Sequence, residues 1–233
     1  MKKLLHCFMF FALVLSGCSS FYTANSLNVP LLKKYNESSI NSNVGLNGLD
    51  IQGATAVDHH LSIMGNISMS TSGKDSLKGR HHQHLMAEVA LGHFGYLTKK
   101  TVYEVYVGYG RGYLQSYNQL DFIGNYNTLT RGQFNRYFIQ GNFGKKVDAL
   151  EFGGAIKTSF LNVFEIKAQE KTFQQAINSV FVEPAVIARY DWNQFKLTGQ
   201  LGYSHDLTGN FNLSHQHLIF NLGIMYKLKK NYY

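Results

Sequence analysis

Nine ionisable side chains sit where alternation along a strand would turn them all to one side. They are Glu88, Glu104, Glu151 and Glu183, set against Arg136, Lys157, Arg189, Lys196 and Lys227. Two carboxylates on adjacent strands, as Glu88 and Glu104 would be, could do general acid/base work if one held its proton. With this many basic neighbours, ion pairing across neighbouring strands is the better expectation. The histidines fall in two groups, His81, His82 and His84, and His205, His215 and His217. Imidazole ligates Zn, Cu or Ni. Near-contiguous histidines on a strand point to both faces, however, and no CxxC or carboxylate framework accompanies them, so no metal is expected and the groups read as rim histidines. Gly108-Tyr109-Gly110-Arg111-Gly112 has the glycine density of a phosphate loop but lies within a strand pattern with no helix after it. No Gly-x-Ser-x-Gly elbow or HExxH helix is present. No cofactor is implied and the chain does not read as an enzyme.

Cysteine chemistry points elsewhere. Cys7 and Cys18 are the only cysteines. MKKLLHCFMFFALVLSGCSS has a basic start, an apolar run from Leu4 to Leu15 and then small residues, the plan of a secretory signal peptide. Its junction, Leu15-Ser16-Gly17-Cys18, resembles the bacterial lipobox. That resemblance implies that Cys18 is diacylated, becomes the first residue after cleavage and is then acylated on its amine. Ser19 and Ser20 follow, without the acidic patch of lipoprotein families exported to the cell surface, so the resemblance implies a tether on the periplasmic leaflet.

The elements that position the ionisable set are strands. Gln83–Tyr113 holds two alternating runs joined by a turn at Thr98-Lys99-Lys100. Leu85, Ala87, Val89 and Leu91 share a face opposite Glu88, Ala90 and Gly92; Tyr103, Val105, Val107 and Tyr109 lie opposite Glu104, Tyr106, Gly108 and Gly110. An apolar face with aromatics near its ends, opposite mid-strand glutamates and glycines, is the pattern of a transmembrane barrel with lipid outside and a polar lumen. The pattern recurs along the chain and gives an all-β, antiparallel, up-and-down transmembrane barrel of about ten strands, eight being the alternative. After the first, the connections alternate short and long, the longest running from about Leu114 to Gly132 and from Asn162 to Asn178. KAQEKTFQQA in the second suggests a helical turn. An even strand count puts both termini on the short-turn rim, the periplasmic one.

Composition agrees. Charged residues are 15% of the 233 and aromatics 14%, with 22 Gly, two Pro and no internal apolar run long enough for a membrane helix. The formal net charge is +8, of which Lys2 and Lys3 belong to the leader. The basic residues are scattered, so nucleic acid is not an expected partner. The chain divides into a signal peptide (1–17), a lipid-anchored linker (18–36) and a barrel (37–230). Val29-Pro30-Leu31-Leu32 is unusually apolar for a linker; a small plug in the periplasmic mouth, a packed edge and a membrane-surface contact all fit.

The leader, the NVPLL segment, the GLNGLDIQGA hairpin and the VYEVYVGYGRG strand together resemble a group of small bacterial outer-membrane β-barrel lipoproteins of mostly unassigned function. The resemblance implies fold and outer-membrane location, not an activity. The expected role is structural or interaction-based, with long extracellular loops meeting an extracellular or periplasmic protein partner, membrane lipid around the wall and a monomeric state. The alternatives are a small channel or transporter for polar solutes and a membrane-embedded enzyme acting on lipids.

Overall fold

The computed structural model describes residues 22–71, 81–98, 100–119, 128–168, 171–173, 176–209 and 215–229. The leader and Cys18 lie outside them. Ten long strands follow in order: β1 (Glu37–Gly45), β2 (Gly48–Ala56), β3 (Leu61–Thr71), β4 (His81–Thr98), β5 (Thr101–Gln119), β6 (Thr128–Val147), β7 (Leu150–Ala168), β8 (Ile177–Trp192), β9 (Phe195–Tyr203) and β10 (Leu218–Lys229). Each pairs antiparallel with the next, and β10 closes on β1 with Lys229 opposite Glu37 and Asn221 opposite Gly45. The result is a closed up-and-down barrel of ten strands, which leaves no long edge.

The faces follow the alternation. Leu91 is 66% exposed and Val107 62%, while Arg136, Lys157, Glu104 and Glu183 are fully enclosed. Side chains of successive residues point to opposite sides of a strand, so an apolar exterior forces the polar positions inward. Aromatic rings flank the exterior belt. Tyr109 and Tyr137 are register partners with ring centroids 5.3 Å apart, and Tyr137 is opposite Phe160. Toward the other rim stand Trp192, Phe195 and Tyr226, the last two 5.4 Å apart.

One rim carries the connections 57–60, 99–100, 148–149 and 193–194. Asp148 and Asn193 take positive φ there, 53° and 55°, as short polar side chains can in two-residue turns. The other rim carries the long connections together with the Leu46-Asn47 turn. The strands above that rim are longer than the hydropathy pattern suggests. The stretch from Leu114 to Gly132 is strand to Gln119 and again from Thr128, and β7 runs on to Ala168. The expected helical turn in KAQEKTFQQA is absent from its described residues: Lys171–Phe173 is a short strand that folds back on β7. Alternation in hydropathy records a contrast between the two faces of a wall. Beyond the apolar belt the outer face turns polar while the enclosed face carries Leu114, Phe134, Val163 and Ile166, so the contrast that marks the lower wall is lost while the hydrogen-bonded ladder continues.

The core also departs from expectation. Residues 22–32 are not a linker beneath the barrel. They run extended through the lumen, and the named apolar ones among them, Tyr22, Ala24, Leu27, Val29, Leu31 and Leu32, are at most 2% exposed. The plug considered for Val29–Leu32 alone is therefore a full axial crossing. Lys229 and Glu37 lie on the short-turn rim as expected, but Tyr22 lies at the long-loop rim, where Tyr22–Thr23 pairs in parallel with His215–Gln216.

An apolar belt bounded by aromatic rings is a surface suited to a bilayer, and a charge at its centre is costly there. Val107→Arg should impair assembly, with a cost of about 2–4 kcal/mol at the bilayer midplane, whereas His59→Arg, in an exposed turn, should assemble normally. Heat-modifiable gel mobility after expression reads the difference.

Candidate functional site: the threaded lumen

The ionisable residues expected inside are all found there, on β4 to β10, and the N-terminal segment determines how they are arranged. Near the long-loop rim, Tyr22 packs on Phe181 and edge-on against Phe134, with ring centroids 4.7 and 6.0 Å away. Its hydroxyl donates to Glu183 Oε1 at 3.4 Å. Below it Arg136 bridges two carboxylates, contacting Glu88 at 3.2 Å on one nitrogen and Glu183 on the other. Lys157 holds the second oxygen of Glu88 at 2.9 Å and lies 4.3 Å from the centre of the Phe138 ring. Asn25 ties the segment into this cluster, donating to Glu88 at 2.9 Å and accepting from Arg136 at 2.9 Å. Two acids and two bases make the cluster formally neutral, as burial away from bulk water favours.

The pairing is less local than expected. Glu88 is on β4, Arg136 on β6 and Lys157 on β7, so these bridges cross the lumen rather than a single strand pair. Glu151 does pair with its register neighbour Arg189, at 2.9 Å, and also takes Lys196 at 2.9 Å. Lys196 reaches Asp191 at 3.2 Å as well. Lys227 pairs with Glu37 at 3.1 Å and donates to the Leu31 carbonyl at 3.1 Å. Glu104 departs from the expectation of ion pairing: its carboxylate accepts the Leu32 backbone N–H at 2.7 Å and the Asn142 amide at 2.9 Å. Among the described residues no basic side chain forms a salt bridge with it. Glu88 and Glu104 therefore occupy separate environments, one clamped by cations and one by amides, and do not form an acid/base pair.

Between the charge clusters, neutral side chains of the wall hold the main chain of the segment. Gln200 accepts the Leu27 N–H at 2.9 Å and donates to the Leu27 carbonyl at 3.0 Å. Gln52 donates to the Ser26 carbonyl at 2.9 Å, and Gln140 to the Asn28 carbonyl at 2.6 Å. Two charged residues join them: Asp50 accepts both N–H and hydroxyl of Ser26, at 3.0 and 2.5 Å, and Arg189 donates to the Val29 carbonyl at 2.5 Å. At the short-turn rim Glu37 accepts the Lys33 N–H at 2.6 Å and Tyr96 donates to the Lys33 carbonyl at 2.5 Å. A lone extended strand has unpaired N–H and C=O groups on both edges, and side chains supply here what a neighbouring strand would.

Sequence reasoning did not assign Asp50, Gln52, Gln140 and Gln200 to a site, nor the segment's Asn25, Ser26 and Asn28. The available signal was that residues 22–32, YTANSLNVPLL, carry no charge and mix amide and hydroxyl side chains with apolar ones, a composition suited to an enclosed lumen lined by polar groups.

The rim histidines make hydrogen bonds and ring contacts. His84 Nε2 meets Ser68 at 3.0 Å and its other nitrogen meets His82 at 3.3 Å; His82 also reaches Thr23 at 3.1 Å. His215 and His217 stack edge-on with centroids 4.2 Å apart. Among the described residues no group of three or more histidine, cysteine, aspartate or glutamate side chains has metal-binding geometry. No protein-family model and no curated protein matches the chain.

Removing Arg136 should expose the logic of the upper cluster. Arg136→Met leaves Glu183 enclosed with the Tyr22 and Ser204 hydroxyls and without its guanidinium partner, and breaking such a buried pair costs about 3–5 kcal/mol. The double variant Arg136→Met/Glu183→Gln keeps Glu88 with Lys157 and should recover much of that loss. Urea unfolding of the detergent-refolded barrel, followed by its single tryptophan, Trp192, measures both.

Proposed function

We propose that the chain is an outer-membrane lipoprotein whose barrel is sealed by its own N-terminal segment. Its role is to present a raised wall and long loops to a protein partner outside the cell, rather than to conduct solutes or catalyse a reaction. The observation that carries this reading is the main chain of residues 22–32 on the lumen axis, bound by side chains of the wall along its length. A pore needs a continuous water path, and here the axis is filled by backbone whose polar groups the wall engages.

Three further features support it. The exterior is apolar between aromatic rings, as a bilayer-spanning wall requires. The strands are uneven: β1, β2 and β9 have nine residues each, about what crossing a bilayer takes, while β4 to β8 have 16 to 20. The excess rises beyond the long-loop rim. On its outer face the side chains turn polar, with Tyr109 donating to Asn135 at 2.7 Å, Arg111 to Gln133 at 3.1 Å and Gln133 to Glu165 at 2.9 Å. Such a polar ladder is soluble in itself and offers directional groups to a partner. The leader with its Leu15-Ser16-Gly17-Cys18 junction supports acylation of Cys18.

In planar bilayers the purified protein should give no steady openings across a wide voltage range. Ohmic openings of fixed size, altered by Glu104→Gln or Arg136→Met, would contradict the sealed reading in favour of a channel.

A further inference from the structure

The lumen segment has a direction, and the direction constrains where anything attached upstream of it can be. From Lys33 at the short-turn rim, held by Glu37 and Tyr96, the chain climbs past Glu104, Arg189, Gln200 and Asp50 to Arg136. It ends beside His215 at the opposite rim. The exit borders the low side of that rim, with Tyr22 and Thr23 also touching the raised wall at Phe134, Phe181 and His82. Asn47, in the two-residue turn between β1 and β2, donates its side-chain amide to the Ala24 carbonyl, so Ala24 is level with the top of the shortest strands. Tyr22 and Thr23 lie beyond it, paired with His215 and Gln216, which precede β10.

We propose that the acyl anchor on Cys18 sits in the leaflet on the long-loop side, the outer leaflet of the outer membrane, so that the N-terminus is displayed at the cell surface. This rests on the reading of Cys18 as acylated. Chain length decides the side. Cys18 is four residues from Tyr22, and an extended chain advances at most about 3.6 Å per residue, so the anchor lies within about 14 Å of the exit. Crossing from Tyr22 to Lys33 takes eleven residues through a lumen that the segment already fills. A return to the short-turn leaflet would need a comparable length and a second passage, and neither exists. The absence of acidic residues at Ser19 and Ser20 favoured the periplasmic leaflet, but a compositional preference cannot lengthen a covalent tether.

The low rim also gives the acyl chains somewhere to go. Val44 and Leu222 are register partners on β1 and β10, 64% and 59% exposed, and Leu46 stands exposed in the adjacent turn. Acyl chains draped over this side would meet an apolar wall at once. Over β4 to β8 they would first meet the raised polar ladder. It follows that the barrel closes around the segment during assembly, because acyl chains could not be drawn through a closed and filled lumen afterwards.

Single cysteines test this in intact cells. Cys7 leaves with the leader and acylation blocks the Cys18 thiol, so wild type supplies the background. Ser20→Cys probes the exit, Thr208→Cys the long-loop side and Ala149→Cys the short-turn side. With a large maleimide that cannot cross the outer membrane, Ser20→Cys should label on intact cells as Thr208→Cys does. Ala149→Cys should label only after permeabilisation. Ser20→Cys behaving like Ala149→Cys would overturn the placement. Incorporation of labelled palmitate, abolished by Cys18→Ala, is scored separately. Its absence from wild type would remove the anchor and with it the lipoprotein reading, while the maleimide pattern would still report which side the chain leaves from.

Discussion

A narrow closed barrel with an apolar exterior must enclose its polar residues, and the rest of this structure depends on how that requirement is met. Ten strands enclose too little space for bulk water to solvate four glutamates and five basic side chains, and an isolated buried charge costs several kcal/mol. Part of the solution is clustered ion pairs, Glu88 and Glu183 with Arg136 and Lys157, and Glu151 with Arg189 and Lys196. The other part is the chain itself. Residues 22–32 occupy the axis, and the wall's amides and charged groups pair with their backbone.

The two parts are interdependent. Asn25 belongs to the segment yet completes the coordination of both Arg136 and Glu88. Arg189 neutralises Glu151 and also holds the Val29 carbonyl. Glu104 has the Leu32 N–H and an asparagine as its donors. Without the segment these groups would face a void, and without the wall the segment would be a strand with no partner. The lumen is in this sense a protein core built from polar as well as apolar contacts, with its long axis filled by one segment of the chain. The apolar residues within it form two clusters, one running from Tyr22, Phe134 and Phe181 along Leu27 and Val29 to Leu31, the other of Leu32 with Phe94, Tyr106 and Met64.

Much of the barrel was legible in the sequence because its physics is periodic. Wherever a strand has an apolar face and an enclosed polar face, as in β4, β5 and β8, alternation of residue type gives both the strand and its facing, and the inward charges follow. The signal stops where the contrast stops. In the upper halves of β5, β6 and β7 the outer side is polar and the enclosed side holds apolar Leu114, Phe134, Val163 and Ile166, the reverse of the lower wall, and there the sequence reads as loop although the ladder continues. The segment was harder still. A single strand surrounded by side chains has no preferred face, so YTANSLNVPLL shows no period, and its crossing is specified by residues scattered from Asp50 to Gln200. Only Val29–Leu32, too apolar for solvent, hinted at burial. The pairing of the charges was partly hidden for the same reason: Glu88 and Lys157 meet across the lumen, a distance that strand order alone does not give.

Hydrogen exchange tests the central claim most directly. With the protein in detergent or a nanodisc, the amides of Ser26, Leu27 and Leu32, each donated to a wall side chain, should exchange as slowly as those of the barrel strands. They should become labile only when the barrel opens. Exchange of the whole of residues 22–33 within seconds, while β4 to β8 stay protected, would mean that the segment is a free tail and that the lumen is not filled by its own chain.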